Sequence, residues 1–149
     1  MRKTPLKRKT PLRAKKPLRG SKLRSKKKKP KKPTITLLKK KLWEECKRIT
    51  RARHGYDCYT CGQRSDHPHT GHFIPSSICS AEMRYDLMNL RPQCFRCNIH
   101  LSGNWVAYEK HLKADGIDVE VLKQRNEDTK GGQYDRLWYE NKIEEYKKL

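Results

Sequence analysis

Apolar residues recur every three or four positions after Thr34: Ile35, Leu38, Leu42, Cys46 and Ile49. That spacing gathers them on one stripe of a helix, since a turn takes 3.6 residues. Thr34 offers a capping hydroxyl at the start and Gly55 a stop beyond about Arg53. Glu44 and Arg48, four apart, are placed to pair on the wet side. The rhythm then changes. Gly71-His72-Phe73-Ile74-Pro75 alternates and reads as a strand ended by proline, and Ser76 to Ala81 is small and polar, a loop. Arg84 to Asn89 leads into Leu90-Arg91-Pro92-Gln93 and the second cysteine pair, and a β-hairpin is expected between the two pairs. A helix is expected from Phe95 through Asn98, Ile99 and Leu101 to Ser102-Gly103-Asn104. Three helical segments follow. Asn104 caps the first, which runs to about Ala114 and packs Val106, Tyr108 and Leu112. Asp118 caps the second, with Val119, Val121 and Leu122. After the break at Lys130-Gly131-Gly132, the third starts near Tyr134 and offers Leu137, Trp138, Ile143 and Tyr146.

Only 34% of the chain is hydrophobic against 36% charged, so the core is small and needs help. Four cysteines can supply it. Cys58-x2-Cys61 and Cys94-x2-Cys97 bracket a segment of 32 residues. Each x2 spacing turns two sulfurs toward one point, which suits a tetrahedral structural zinc; two disulfides or free core thiols are the competing reading. Gly62 lets the backbone turn tightly after the second ligand. Cys46 and Cys79 are left over with no assigned role.

Charge divides the chain further. Residues 1–33 hold 17 Lys or Arg and no Asp or Glu, whereas the remainder carries 20 basic and 16 acidic side chains, so +17 of the net +21 sits in the arm. With proline in Thr4-Pro5-Leu6, Thr10-Pro11-Leu12 and Lys16-Pro17-Leu18, this arm reads as extended and disordered. A polyanion is its natural partner, through counterion release. Lys39, Lys40, Lys41, Lys47 and Arg48 on the first helix either extend that basic surface or form an ordinary solvated face. No apolar run nears the ~20 residues of a membrane span. Nor has the N-terminus the apolar core of a signal peptide, so a reducing cytoplasm is expected. The expected organisation is a basic arm over 1–33, a basic helix over 34–54, a zinc-bound core over 55–104 and a helical region over 105–149.

The core carries a resemblance. Cys-x2-Cys, then Gly71-His72-Phe-Ile-Pro, then Asn89-Leu-Arg-Pro-Gln-Cys94-x2-Cys97-Asn98 resembles the HNH endonucleases, with their zinc-bound, treble-clef ββα-metal core. More narrowly, Met83-Arg84-Tyr85-Asp86 and Cys94-Phe-Arg-Cys97-Asn98-Ile-His100-Leu-Ser-Gly-Asn104-Trp-Val-Ala-Tyr108 resemble the NinG (Rap) recombination proteins of lambda-like phages. The resemblance covers roughly 55–149. It implies an α+β fold and a metal-dependent, structure-specific endonuclease that cuts branched recombination intermediates such as Holliday junctions and D-loops.

Phosphodiester hydrolysis needs an activated water and a stabiliser for charge on phosphorus. His72 is the expected general base, since a neutral imidazole can take a proton near working pH. Asn89 would orient that ring or hold the strand–loop geometry around it. The resemblance implies one metal ligand just before His72 and another at the start of the following helix. Gly71, directly before His72, cannot ligate, so the resemblance points to His69 for the first place and Asn98 for the second, as ligands of a catalytic Mg²⁺ or Mn²⁺, with imidazole tilting the choice toward Mn²⁺. Arg84, Arg91, Arg96 and His100 are candidate DNA contacts, the arginines because guanidinium groups fit phosphate oxygens. Branched or partly single-stranded DNA is the expected partner, with a homodimer attractive for paired cuts and recombination proteins as further partners. A reading of a different class is a non-catalytic zinc module that binds nucleic acid.

Overall fold

A computed structural model describes residues 32–149. The disorder expected for residues 1–33 falls outside the described residues, apart from Lys32 and Pro33. Helix α1 spans Ile35–His54: the Thr34 hydroxyl accepts from the Leu37 amide, and Gly55 closes the helix at φ 70°. Leu38, Leu42, Cys46 and Ile49 are buried, while Ile35 at the frayed end is exposed. The ion pairs on its wet side run three residues apart, Lys47 to Glu44 at 2.7 Å and Arg48 to Glu45 at 2.8 Å, and replace the expected Glu44–Arg48 pair.

Strand β1 is His69–His72 and β2 is Leu90–Gln93, antiparallel, with His69 opposite Gln93 and His72 opposite Leu90. The first strand starts earlier than its alternation suggests and stops at His72. Phe73 and Ile74 turn into the core instead, because the Asn89 side chain takes over the ladder: its Oδ1 accepts from the Ile74 amide at 2.7 Å. Between the strands lies a short helix α2, Ala81–Tyr85, capped by Ser80, then a turn over Leu87–Asn89. After the second cysteine pair the expected α-helix is one wide turn, Arg96–His100, in which the Leu101 amide reaches five residues back to the Arg96 carbonyl. Helices α3 (Trp105–Ala114), α4 (Val119–Thr129) and α5 (Arg136–Lys147) complete an α+β fold.

The core has two apolar clusters. One joins the α1 stripe to Tyr85, Leu90, Tyr139, Ile143 and Tyr146; the other joins Phe73, Ile74 and Met83 to Tyr108, Leu112, Val119 and Leu122. Val106, Val121 and Leu137, expected to pack, are exposed, and Tyr139 is buried in their stead. Each sits next in sequence to a residue the helix does bury or half-bury, so it points away from the core by about 100°. Among the described residues no helix is long and apolar enough to cross a membrane.

Candidate metal centre and catalytic site

The two cysteine pairs converge. The sulfurs of Cys58, Cys61, Cys94 and Cys97 lie within 4.8 Å of one another. Cys61 and Cys94 Sγ are 3.9 Å apart. A zinc ion with Zn–S bonds of ~2.3 Å would set neighbouring sulfurs of a tetrahedron ~3.8 Å apart, so the cluster fits that ion. Gly62 takes φ 71° just after the first pair, as a knuckle requires. Donors surround the sulfurs. The Cys97 amide donates to Cys94 Sγ at 3.4 Å, the Thr60 hydroxyl lies 3.4 Å from Cys58 Sγ, and Asn104 Nδ2 lies 3.7 Å from Cys97 Sγ. Burial opposes ionisation of Cys58, but the Thr60 and backbone hydrogen bonds outweigh it and bring the thiol down to about 6. A cation at the centre would favour thiolates further.

Asn104 therefore does different work from the capping expected of it. Its side chain makes no cap; the residue sits in the left-handed region at φ 45°, following Ser102 at φ 48° and Gly103 at φ 91°. This turn aims the Asn104 amide at Cys97 and the Gly103 carbonyl at Gln93, whose Nε2 donates to it at 2.6 Å. Three successive left-handed residues are costly for all but glycine, so the thiol cluster and Gln93 hold the turn in place.

The sequence-selected polar residues divide between two faces of β1. Residues three apart on a strand point to opposite sides. His69 meets Asn98, with Nδ1 3.0 Å from Asn98 Nδ2, and its ring packs edge-on against Phe95. The amide donates, so His69 Nδ1 is taken and its Nε2 lies across the ring, away from Asn98. The two residues expected as ligands thus stand in direct contact.

His72 faces the other way. Its ring stacks on Trp43 with centroids 5.2 Å apart and planes 4° apart. Its Nε2 lies 3.0 Å from the Arg84 carbonyl. A carbonyl only accepts, so Nε2 carries the proton and Nδ1 keeps its lone pair. Burial lowers the pKa of this imidazole below the usual 6.5; the Arg84 carbonyl pulls it up, the Arg84 charge down, and the balance is a ring that stays neutral.

Asn89 does not touch His72. It is wholly buried, accepts from the Ile74 amide, and donates to the carbonyls of Ile74 at 3.3 Å and Met83 at 3.0 Å. Of the two roles expected for it, the arrangement is that of a staple between loop and strand. Asn89→Ala would strand the amide and carbonyl of Ile74 and take one of two donors from the Met83 carbonyl, and a loss on the order of 3 kcal/mol in urea unfolding is expected. Gly71 also has a structural reason. A Cβ there would lie 2.0 Å from Gln93 Oε1, in the space the buried Gln93 amide crosses to reach Gly103 and Thr60. Gly71→Ala should cost about 1–3 kcal/mol in the same measurement, as overpacking does. An unchanged midpoint would show that Gln93 moves aside freely.

Arg91 is corrected as a DNA contact. It is 4% exposed, its guanidinium donates to the carbonyls of Leu87, Met88 and Leu90, and it lies 5.2 Å over the Tyr59 ring. It fastens the turn before β2 and cannot reach a phosphate. Arg84, Arg96 and His100 are exposed. Arg96 and His100 line an open cleft with Arg64 beside the thiols. Trp43, Gln93 and Thr60 carry contacts that no motif announced. For Trp43 the available signal is a lone large aromatic beside the apolar stripe of an otherwise charged helix.

The NinG family model, described as Bacteriophage Lambda NinG protein, matches residues 1–149. No curated protein and no solved structure matches the chain.

Proposed function

The chain belongs to the bacteriophage lambda NinG family, and from that premise we propose that it is a metal-dependent endonuclease of the HNH type. Its substrate is branched or partly single-stranded DNA formed in phage recombination. The observation that carries this reading is the state of His72. Its Nε2–H is anchored on the Arg84 carbonyl, its ring is neutral, and its Nδ1 is left to accept a proton from an attacking water. A base so fixed pays little reorganisation when the proton moves.

The thiol cluster is the structural zinc site of this reading, and Asn98 Oδ1 would hold the catalytic divalent ion. Such an ion, when bound, supplies Lewis-acid stabilisation of charge on phosphate. His69, in contact with it, is the second proposed ligand; water and substrate would fill the rest of the shell of a Mg²⁺ or Mn²⁺ ion, and the imidazole tilts the choice toward Mn²⁺. Arg84 at the His72 anchor and Arg96 by the thiols are the proposed phosphate contacts.

A second reading has one observation in its favour. Asn89 is fully committed to structural hydrogen bonds, and no Asp or Glu joins a metal-ligating group of three or more among the described residues. That suits a zinc-stabilised nucleic-acid-binding module without catalysis. A labelled four-way junction incubated with Mg²⁺, Mn²⁺ or EDTA separates the two. The nuclease predicts divalent-dependent cutting of the junction over linear duplex; tight binding with intact DNA in every metal would leave the binding module.

A further inference from the structure

The clearest unassigned feature lies where His72 is anchored. Thr36, Lys39, Lys40 and Trp43 recur at helical spacing along one face of α1, opposite Arg84 on α2, and enclose an open groove of about 480 Å³. No Asp or Glu lines it among the described residues. Lys39, Lys40 and Arg84 are exposed and Trp43 is half-buried among them, whereas Tyr85 and Tyr139 form a buried floor. His72 touches two members of this lining, stacking on Trp43 and bonding to the Arg84 carbonyl. Basic side chains interleaved with aromatic rings form the usual surface for a single nucleic-acid strand, with phosphates on the cations and bases against the rings.

We propose that the α1–α2 groove is the seat of a single DNA strand, with backbone phosphates held by Lys39, Lys40 and Arg84 so that the strand runs past His72. The proposal builds on the nuclease reading by naming the surface its substrate occupies. It also sorts the basic residues of α1. Lys47 and Arg48 are spent on Glu44 and Glu45, whereas Lys39 and Lys40 face the groove. Trp43 becomes a positioning residue that sets the His72 ring against the groove wall.

The test uses the full chain, with its basic arm unchanged in every variant. Affinity for a labelled oligothymidylate is measured as a function of salt. Each lost phosphate contact on a single strand lowers the log–log salt slope by ~0.7, so Lys39→Ala/Lys40→Ala/Arg84→Ala should lower it by about 2. Thr36→Lys, which adds a cation to the same groove, should steepen it by about 0.7. A control of equal charge, Lys41→Ala/Lys110→Ala/Lys148→Ala, removes cations that do not line the groove. Zinc content and circular dichroism report that each variant is folded. Equal falls in groove and control variants would overturn the proposal, as would an unchanged slope in the groove variant. A change confined to duplex DNA would overturn the single-strand assignment. Junction cleavage, followed in parallel, keeps the two readings apart. A groove-dependent slope with no cutting in any metal sinks the nuclease and leaves the groove. Cutting that persists at wild-type KM in the groove variant sinks the groove and leaves the nuclease.

Discussion

His72→Ala should lower the rate of divalent-dependent junction cleavage by roughly 100- to 10,000-fold, the span over which a positioned general base acts. The ring has two attachments, the Trp43 stack and the Arg84 carbonyl, so its loss also removes packing. Zinc content and the unfolding midpoint must therefore be followed alongside. A variant that keeps its zinc and its fold but loses cleavage identifies His72 as the base; one that keeps cleavage removes it from the chemistry. The pH profile is a second readout, and its sign follows from burial. The base form is the neutral one, and desolvation holds His72 below the ordinary 6.5. The acid limb of the cleavage profile should therefore have its midpoint below pH 6.5. The same shift acts on stability. The unfolded chain takes up its proton near 6.5 while the folded ring resists, so acid below that value favours unfolding. An acid limb centred at or above 6.5 would show that the limiting group is not this imidazole.

Loss of the thiol-bound ion should have a still larger effect on the fold. Structural zinc contributes on the order of 10 kcal/mol in small domains, as much as the whole stability of a typical domain. The clustered sulfurs make no disulfide, and the turn at Ser102-Gly103-Asn104 leans on Cys97 through the Asn104 amide. Cys94→Ser, or a strong chelator applied to the native chain, should abolish the cooperative thermal transition followed by circular dichroism. Restoring zinc should recover the chelated native protein and not the variant. A chelated protein that melts at the original temperature would show that the four sulfurs are a core contact and not a metal centre.

The helical stripe of α1, its threonine cap and its glycine stop were legible because each is a local instruction carried by consecutive residues. The cysteine pairs were legible for the same reason. What escaped was decided across the fold. Asn104 reads as a cap from its neighbours, but its amide answers a sulfur seven residues back. Arg91 reads as a surface cation, but the carbonyls of Leu87, Met88 and Leu90 converge on its guanidinium, and it turns inward. His69 and His72 read as one site because they are close in sequence. The pleat of a strand separates them, and only the partners each meets, Asn98 and Trp43, reveal the division. Gly71, which looks like a ligand lost, is a slot kept open for Gln93.

The packing of α1 against α5 has a consequence for how the chain is made. The Arg48 guanidinium donates to the Tyr146 carbonyl across 98 residues of sequence, and α5 is the main neighbour of the α1 stripe. During synthesis α1 leaves the ribosome with Leu38, Leu42 and Ile49 uncovered; Tyr85 and Leu90 can cover part of the stripe, but the face that α5 takes stays open until nearly all of the intervening chain has followed. The cysteine knuckle and hairpin, whose partners are close in sequence, can close long before. Folding should therefore proceed from the middle outward, with closure of the two outer helices as its late step, slowed by the long loop they must bridge. The His72 ring rests on Trp43 of α1, so it gains its final setting only once α1 has docked on the hairpin.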